Sequence, residues 1–216
     1  MNKLINLEEA VSKIKSGMTI MVGGFLTKGG PNLFMETLAE ADVNNLTLIC
    51  NDAAYADKGL GKLIANKKVK KLIVSYIGSN SAAIDLMNSG EMDVEFSPQG
   101  TLIERIRAYG AGLGGVLTPT GLGTIVANNK GVVTIDGKEY LLEKPLKADI
   151  AVVGASISDT VGNLFYRGTK RNFNPIIAMA ADVVIVEPEK IVECGDIEPE
   201  HVHTPAILID YIILKN

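Results

Sequence analysis

The chain has 216 residues, a formal net charge of −4, 47% hydrophobic and 21% charged residues. That is enough chain to bury a real core, and without a basic patch it disfavours nucleic acid and anionic membrane as partners. The two cysteines, Cys50 and Cys194, lie far apart and outside any CxxC, so they form neither a disulfide framework nor a zinc site and fit reduced thiols.

The first fifteen residues, MNKLINLEEAVSKIK, are charged throughout, and no apolar run of about 18 residues occurs anywhere. A cytoplasmic protein without a membrane segment is the expectation. Leu7 to Ile14 reads as a short amphipathic helix, with Leu7, Val11 and Ile14 on one face and Gly17 as its stop. Four apolar runs follow: TIMV (19–22), LTLIC (46–50), KLIVSYI (71–77) and MDVEF (92–96). They are rich in β-branched residues and do not alternate, as strands buried on both faces do not. Helical segments lie between and after them, at about 31–41, 60–67, 80–89 and 98–109. Strand–helix alternation of this kind builds a parallel sheet with covering helices.

The second half is less regular. Residues 124–143 read as β-hairpin material, with Asp136-Gly137 as a two-residue turn. ADIAVVGAS (148–156) and ADVVIVEPE (181–189) are two further buried strands. NFNPIIAMAA (172–181) carries Pro175 at a helix start, and AILIDYIIL (206–214) reads as a last strand. No repeat, low-complexity tract or linker divides the chain. The fold expected is a single α/β domain over 1–216, an open, mostly parallel sheet with helices on both faces and a β-rich excursion near 115–145.

Ligands of open parallel sheets bind beyond the carboxyl ends of the strands, so the residues that follow each strand matter most. After TIMV comes GGFLTKGGP (23–31); after LTLIC come Asn51 and Asp52; after KLIVSYI come Gly78, Ser79 and Asn80; after VEF come Ser97, Pro98, Gln99 and Gly100. In the glycine-rich loop, Gly30 as cap and Pro31 at the first helical position would present free N–H groups to an anion or a carbonyl oxygen. Without a Cβ, Gly23, Gly24 and Gly29 let a ligand or a neighbouring strand lie against the main chain. A tight strand-to-helix turn with no ligand explains the same residues. The loop is not a P-loop, because GxxxxGK[ST] is missing. Ser97, Pro98 and Gln99 read as N-cap, N1 and N2, which puts Gln99 in the first helical turn.

Other patterns carry less. GAGLGG (110–115) matches G-x-G-x-x-G, but it follows a helix and no helix follows it. It serves as a helix end and a close packing point, so no nucleotide cofactor is expected. His201 and His203, with Glu198 and Glu200 nearby, lack a further histidine to complete a metal site and read as a solvated loop. Glu104, flanked by Arg105 and Arg107, reads as a surface pattern. No GxSxG occurs and no cysteine sits in a nucleophile motif. The chain therefore offers a ligand-binding rim without a nucleophile.

At the glycine loop a specific resemblance emerges. An apolar strand, then Gly23, Gly24, Phe25, three residues, Gly29, one residue and Pro31, resembles the class I coenzyme A transferase signature of α (A) subunits. LTLICNDAAYADKGLGKLI, SGEMDVEFSPQGTLIERIRA, GAGLGGVLTPTGLGT and GTKRNFNPIIAMAADVVIVE agree with it, so the likeness covers nearly the whole chain. It is most similar to α subunits of bacterial acetate/butyrate–acetoacetate CoA-transferases. One departure is Ser16-Gly17, where the signature usually opens on Asp/Asn followed by Gly/Asn.

The resemblance implies a ping-pong transfer of CoA between a short-chain acyl-CoA (acetoacetyl-, acetyl- or butyryl-CoA) and a short-chain carboxylic acid. It implies a nucleophilic glutamate on a β subunit, in a stretch near Ser-Glu-Asn-Gly that this chain lacks, and an α2β2 assembly. No catalytic nucleophile and no metal are then expected on this chain. By the same resemblance Gly23, Gly24, Phe25, Leu26, Thr27, Lys28 and Gly29 contact coenzyme A, and Asn51 and Gln99 contact the substrate carboxylate or thioester. A bulky residue at Gly24 is expected to stop turnover and spare the fold. The rival assignments are a non-catalytic CoA-binding module and a self-sufficient enzyme of the same fold, a CoA-ester hydrolase or a sugar-phosphate isomerase.

Overall fold

The computed structural model describes residues 3–214. In chain order these form β1 (Leu4–Ile5), α1 (Leu7–Ser12), β2 (Thr19–Val22), α2 (Asn32–Glu40), β3 (Leu46–Asp52), α3 (Leu60–Ala65), β4 (Val69–Tyr76), α4 (Ser81–Asn88), β5 (Asp93–Phe96) and α5 (Gln99–Gly110). There follow β6 (Val116–Thr118), β7 (Gly131–Ile135), β8 (Lys138–Glu143), β9 (Ala148–Asp159), β10 (Leu164–Phe165), α6 (Asn174–Ile177), β11 (Ala181–Val192) and β12 (Tyr211–Ile213).

The main sheet runs β1-β12-β11-β9-β2-β3-β4-β5 and is parallel throughout, with β10 added antiparallel to β9. The non-alternating runs are explained by two cores. Ile20, Val22, Leu48, Cys50, Leu72 and Val74 face α1 to α4; Met21, Ile49 and Ile73, one residue out of step, face α5 and α6. β2, β3 and β4 thus bury both sides, as parallel strands do; β5, expected to do the same, is the edge strand of the sheet, and Asp93 to Phe96 are exposed or half-buried because no strand covers their outer side. Leu48 and Leu72 are fully buried, and trimming either to alanine costs about 2–5 kcal/mol.

A smaller antiparallel sheet, β6-β8-β7, fills the expected excursion. Its hairpin turns at Asp136 and Gly137, both with positive φ (50° and 75°), the geometry that suits two-residue loops. The strand begins only at Gly131, later than the expected 124; residues 125–127 form a 3-10 turn in which Thr124 Oγ1 accepts the Val126 N–H at 3.2 Å.

Several boundaries shift. AILIDYIIL is a strand only over Tyr211–Ile213, because residues 206–208 form a 3-10 turn. There the backbone N–H groups of Leu208 and Ile209 bond to Pro205 and Ala206, which removes them from any ladder. Pro31 and Pro98 are N-caps, where Gly30 and Ser97 were expected. Their carbonyls accept the first helical bonds, from Met35 (3.1 Å) and Leu102 (2.8 Å). β1, β6 and β10 have two or three residues each, too few for a sequence period.

Arg105 is not part of a surface pattern. It is buried, on the face of α5 that carries Leu102 and Ile106. Its Nη1 donates to Glu95 Oε1 at 2.8 Å and its Nε to the Lys144 carbonyl at 2.9 Å, tying α5 to β5 and to the chain after β8. Burial pushes the Glu95 carboxyl up, but the hydrogen bond and charge of Arg105 outweigh it and hold the group below its usual range. Glu104 and Arg107 do form the expected exposed pair, 3.0 Å apart. Gly110 ends α5 against Met179, as a close packing point should.

Candidate functional site

The carboxyl ends of β2, β3, β4 and β5 lie side by side at one edge of the sheet. The glycine loop leaves β2 there. Its tip is a tight turn in which Phe25 and Lys28 exchange backbone hydrogen bonds of 2.9 Å each way, with Leu26 at φ 52°. Phe25 is exposed, while Leu26 and Thr27 are half-buried.

The close approaches that glycine permits are made by the protein itself. A Cβ on Gly23 would lie 1.8 Å from Asn174 Oδ1. Gly24 has φ +113°, and a Cβ there would stand 2.8 Å from the Gly30 nitrogen. A side chain at Gly24 would therefore strain the fold, so sparing the fold while stopping turnover is not available at that position. The helix start is also occupied: the Phe34 N–H donates to the buried Glu187 carboxylate, Oε2, at 2.8 Å.

Asn174 holds the loop from below. It is fully buried as the first residue of α6. Its Oδ1 accepts the Gly154 N–H, and its Nδ2 donates to the carbonyls of Gly29 and Lys170, all at 2.9 Å. The turn 168–173 is thus laid against the loop's far limb.

The two amides singled out in the sequence meet directly. Gln99 Nε2 donates to Asn51 Oδ1 at 2.8 Å, and Asn51 Nδ2 donates to Asp52 Oδ2 at 2.8 Å. That carboxylate also accepts the N–H of Leu26, at the loop tip, and of Ala54, each at 2.8 Å. The chain of bonds has one possible sense. An ionised carboxylate only accepts, so Asp52 turns the Asn51 NH2 toward itself and the Asn51 oxygen toward Gln99. Gln99 must then spend one N–H on Asn51, and it keeps its Oε1 and a second N–H for a ligand. Asn51 is buried and Gln99 exposed, so the relay runs from the interior to the surface.

Around this relay four aromatic side chains are exposed, one near each strand end: Phe25 (45%), Tyr55 (42%), Tyr76 (53%) and Phe96 (39%). Tyr76 is level with Asp52 and Phe96 with Val74 across the strands. An uncovered aromatic rim of this kind is what contact surfaces share.

Burial, reinforced by the Asp52 charge, pushes the Cys50 thiol far above its usual range, so it does not form a thiolate. The buried carboxylates at this edge, Asp52 and Glu187, already accept backbone N–H groups. His201 and His203 are not simply a solvated loop. His203 Nδ1 accepts the Tyr166 N–H at 3.0 Å and its ring stacks on Phe165 with centroids 5.0 Å apart. Among the described residues no His, Cys, Asp and Glu group could hold a metal ion, and no helix is long and apolar enough to cross a membrane.

Sequence reasoning reached Asn51, Gln99 and the loop, but it passed over Asp52, Asn174 and Arg171. Asp52 had a signal, its place beside Asn51 at a strand end. Asn174 and Arg171 lay in the quoted GTKRNFNP stretch without a distinguishing mark.

Comparison with known proteins adds a family. Residues 4–215 match the family described as coenzyme A transferase. The chain is 53% identical over 213 residues to the acetate CoA-transferase subunit alpha of Escherichia coli K12, covering 99% of this chain and 97% of that one. It is also 53% identical over 212 residues to the acetoacetyl-CoA:acetate/butyrate CoA transferase alpha subunit of Clostridium acetobutylicum, covering 98% and 97%. Among solved structures, an acyl-CoA transferase from E. coli O157:H7, in a thioester complex with CoA, superposes with a TM-score of 0.87 at 23% identity. It takes in 99% of this chain, which spans 47% of that longer chain. Glutaconate coenzyme A-transferase from Acidaminococcus fermentans gives a TM-score of 0.86 at 22% identity, over 98% of this chain and 75% of that one. At such identities the two structures speak for the fold.

Proposed function

The chain belongs to the coenzyme A transferase family, and we propose that it is the α subunit of a heteromeric enzyme that moves CoA between a short-chain acyl-CoA and a short-chain carboxylic acid. Acetoacetyl-, acetyl- and butyryl-CoA are the donors favoured by the names of its 53%-identical relatives. The β partner supplies a glutamate, the pair assembles as α2β2, and the enzyme works in the cytoplasm. The donor–acceptor pair is set jointly with the β partner, since acids that differ by a methylene are separated by only ~1–3 kcal/mol in a pocket.

In this reading the partner's carboxylate attacks the acyl carbonyl and expels CoA thiolate, leaving an acyl-glutamyl anhydride. The thiolate attacks the glutamyl carbonyl, releases the first acid and leaves a glutamyl-CoA thioester. The incoming acid reverses both steps. Each step passes through a tetrahedral oxyanion, and a preorganised N–H aimed at it is worth about 10²–10³ in rate. Gln99 supplies that N–H. Asn51 and Asp52 fix the amide's sense, and Asp52 couples it to the loop tip at Leu26, where residues Gly23 to Gly29 lie along the CoA arm.

The observation that carries this reading is the Gln99–Asn51–Asp52–Leu26 relay, which joins the loop and the amides at one sheet edge. The aromatic rim around it suits a partner chain that closes the site. The test is transfer from acetoacetyl-CoA to acetate, by this chain alone and co-purified with its β partner. Activity in the complex only, with a borohydride-sensitive thioester on the β chain, is the expected result. Activity of the isolated chain would make it a self-sufficient enzyme. Binding of CoA without turnover in the complex would make it a CoA-binding module.

A further inference from the structure

We propose that the cleft between α5 and the turn 168–173 is an anion site, where Arg171 and Arg107 take a phosphate or carboxylate group of a substrate whose reacting end lies at Gln99. The location of that reacting end rests on the function proposed above; the anion site itself rests on geometry and charge.

The cleft has a volume of about 400 Å³, and its walls include Gln99, Ile103, Arg107, Arg171, Phe173 and Ile176. No carboxylate residue lines it. The apolar walls are low-dielectric surfaces that strengthen a charge contact made between them. Gln99 belongs both to this cleft and to the relay, so a ligand lying in the cleft reaches the strand ends.

Arg171 is the unusual member. Arg107 has a partner in Glu104, and Lys170 in Glu189 at 3.3 Å, but among the described residues Arg171 has no carboxylate partner. Its Nη2 faces His203 Nε2 instead. That contact lacks an acceptor. The Tyr166 N–H already points at Nδ1, so a neutral ring has one nitrogen without a proton and two N–H donors facing it. Protonating the ring would make both pairs donor against donor. Burial, then the charges of Arg171 and His201, hold His203 below its usual range, so the ring stays neutral. Phe165 and Tyr166 stack on the imidazole and keep it in place. The guanidinium is therefore parked beside a group that does not satisfy it, on a turn that also carries Lys170 and is preceded by Arg167. An oxyanion in the cleft offers what the imidazole does not, two acceptor oxygens in the geometry of the guanidinium fork.

Two sources could bring that oxyanion: the phosphates of CoA, or the second carboxylate of a dicarboxylic acyl group. The experiment separates them on the wild-type α/β complex. Phenylglyoxal modification of Arg171 is followed by peptide mass spectrometry, with inorganic pyrophosphate, CoA, pantetheine, succinate or butyrate present. Pantetheine lacks the phosphates of CoA, and butyrate lacks the second carboxylate of succinate. The expected result is a several-fold slower modification of Arg171 with pyrophosphate and with either CoA or succinate, and a much weaker slowing with the matching probe that lacks the group in question, pantetheine or butyrate. CoA identifies the phosphates and succinate the carboxylate. The proposal is overturned if no anion slows the modification, if pantetheine or butyrate slows it equally, or if Arg171 is unreactive from the start. Because this readout needs no turnover, an inactive complex counts against the proposed function and leaves the anion site standing. In an active complex, Arg171→Gln should raise the KM of the identified substrate about tenfold, and Arg171→Lys should restore most of it. An unchanged KM in Arg171→Gln overturns the proposal as well.

Discussion

Gly23→Ala is a test of what the glycine loop is for. The added methyl would sit 1.8 Å from Asn174 Oδ1, 2.6 Å from its Cγ and 3.3 Å from its Nδ2. Asn174 cannot yield cheaply, because it is fully buried and its amide makes three hydrogen bonds of 2.9 Å. Moving it forfeits three bonds of about 0.5–1.5 kcal/mol net each and strands the buried Gly154 N–H at about 1–3 kcal/mol. The sum is roughly 2.5–7.5 kcal/mol, a large part of the stability of an ordinary domain. At about 2–4 °C per kcal/mol for a chain of this size, Tm falls by about 5–30 °C. The assay is thermal and urea unfolding of the co-purified complex. A second variant sharpens it: in Gly23→Ala/Asn174→Ala the methyl has room, so the double variant should be less destabilised than the sum of the two singles. A Tm of Gly23→Ala within about 2 °C of the parent, or strict additivity in the double variant, would refute the packing argument and return Gly23 to a role in ligand contact alone.

Three further outcomes follow from the same geometry. Gln99→Ala should cost about 1–3 kcal/mol of stability, since it takes the donor from the buried Asn51 Oδ1, and should lower kcat by about 10²–10³ with KM little changed; an unchanged kcat removes the amide from the reacting carbonyl. Asp52→Asn puts an NH2 group against the N–H of either Leu26 or Ala54 and so costs about 1–3 kcal/mol, and a urea titration showing no loss contradicts the relay as described. Stability should also fall in alkali. The folded Cys50 thiol is held above its ordinary value of 9.0, so its contribution is fully present below that pH. Above it the unfolded chain ionises while the folded one does not, with a slope approaching about 1.4 kcal/mol per pH unit. Cys50→Ala should flatten that slope, and a pH profile identical to the parent's above pH 9 would show the thiol plays no part.

Much of this architecture could be read from residue patterns, for a physical reason. A strand buried on both faces needs an unbroken apolar run, and β2, β3, β4, β9 and β11 each supply one. Asp136-Gly137 marked its turn because few residue pairs tolerate two positive φ angles. The apolar run at 206–214 misled, since hydrophobicity does not reveal that Leu208 and Ile209 have spent their N–H groups on a local turn. Arg105 misled in the opposite sense, because a charge on a helix looks exposed until Glu95 and the Lys144 carbonyl are seen to meet it. At the site, Asn51 and Gln99 stood out as amides at strand ends, and their mutual bond links positions 48 residues apart. Asp52, Asn174 and Arg171 owe their roles to partners 26, 145 and 32 residues away, and nothing in local spacing records such pairs.

The position of β2 bears on how the protein is made. It lies between β3, its successor in the chain, and β9, which is synthesised more than a hundred residues later. The glycine loop at its end is braced by Asn174, later still. A chain leaving the ribosome can pair β2 with β3 and β4 early, but β2 stays an open edge until β9 arrives, and the loop has no floor until α6 is in place. Contacts of such long sequence separation are slow to form. The half-made protein therefore exposes an unpaired strand edge, and the glycine loop reaches its folded position only when the last quarter of the chain has closed beneath the first.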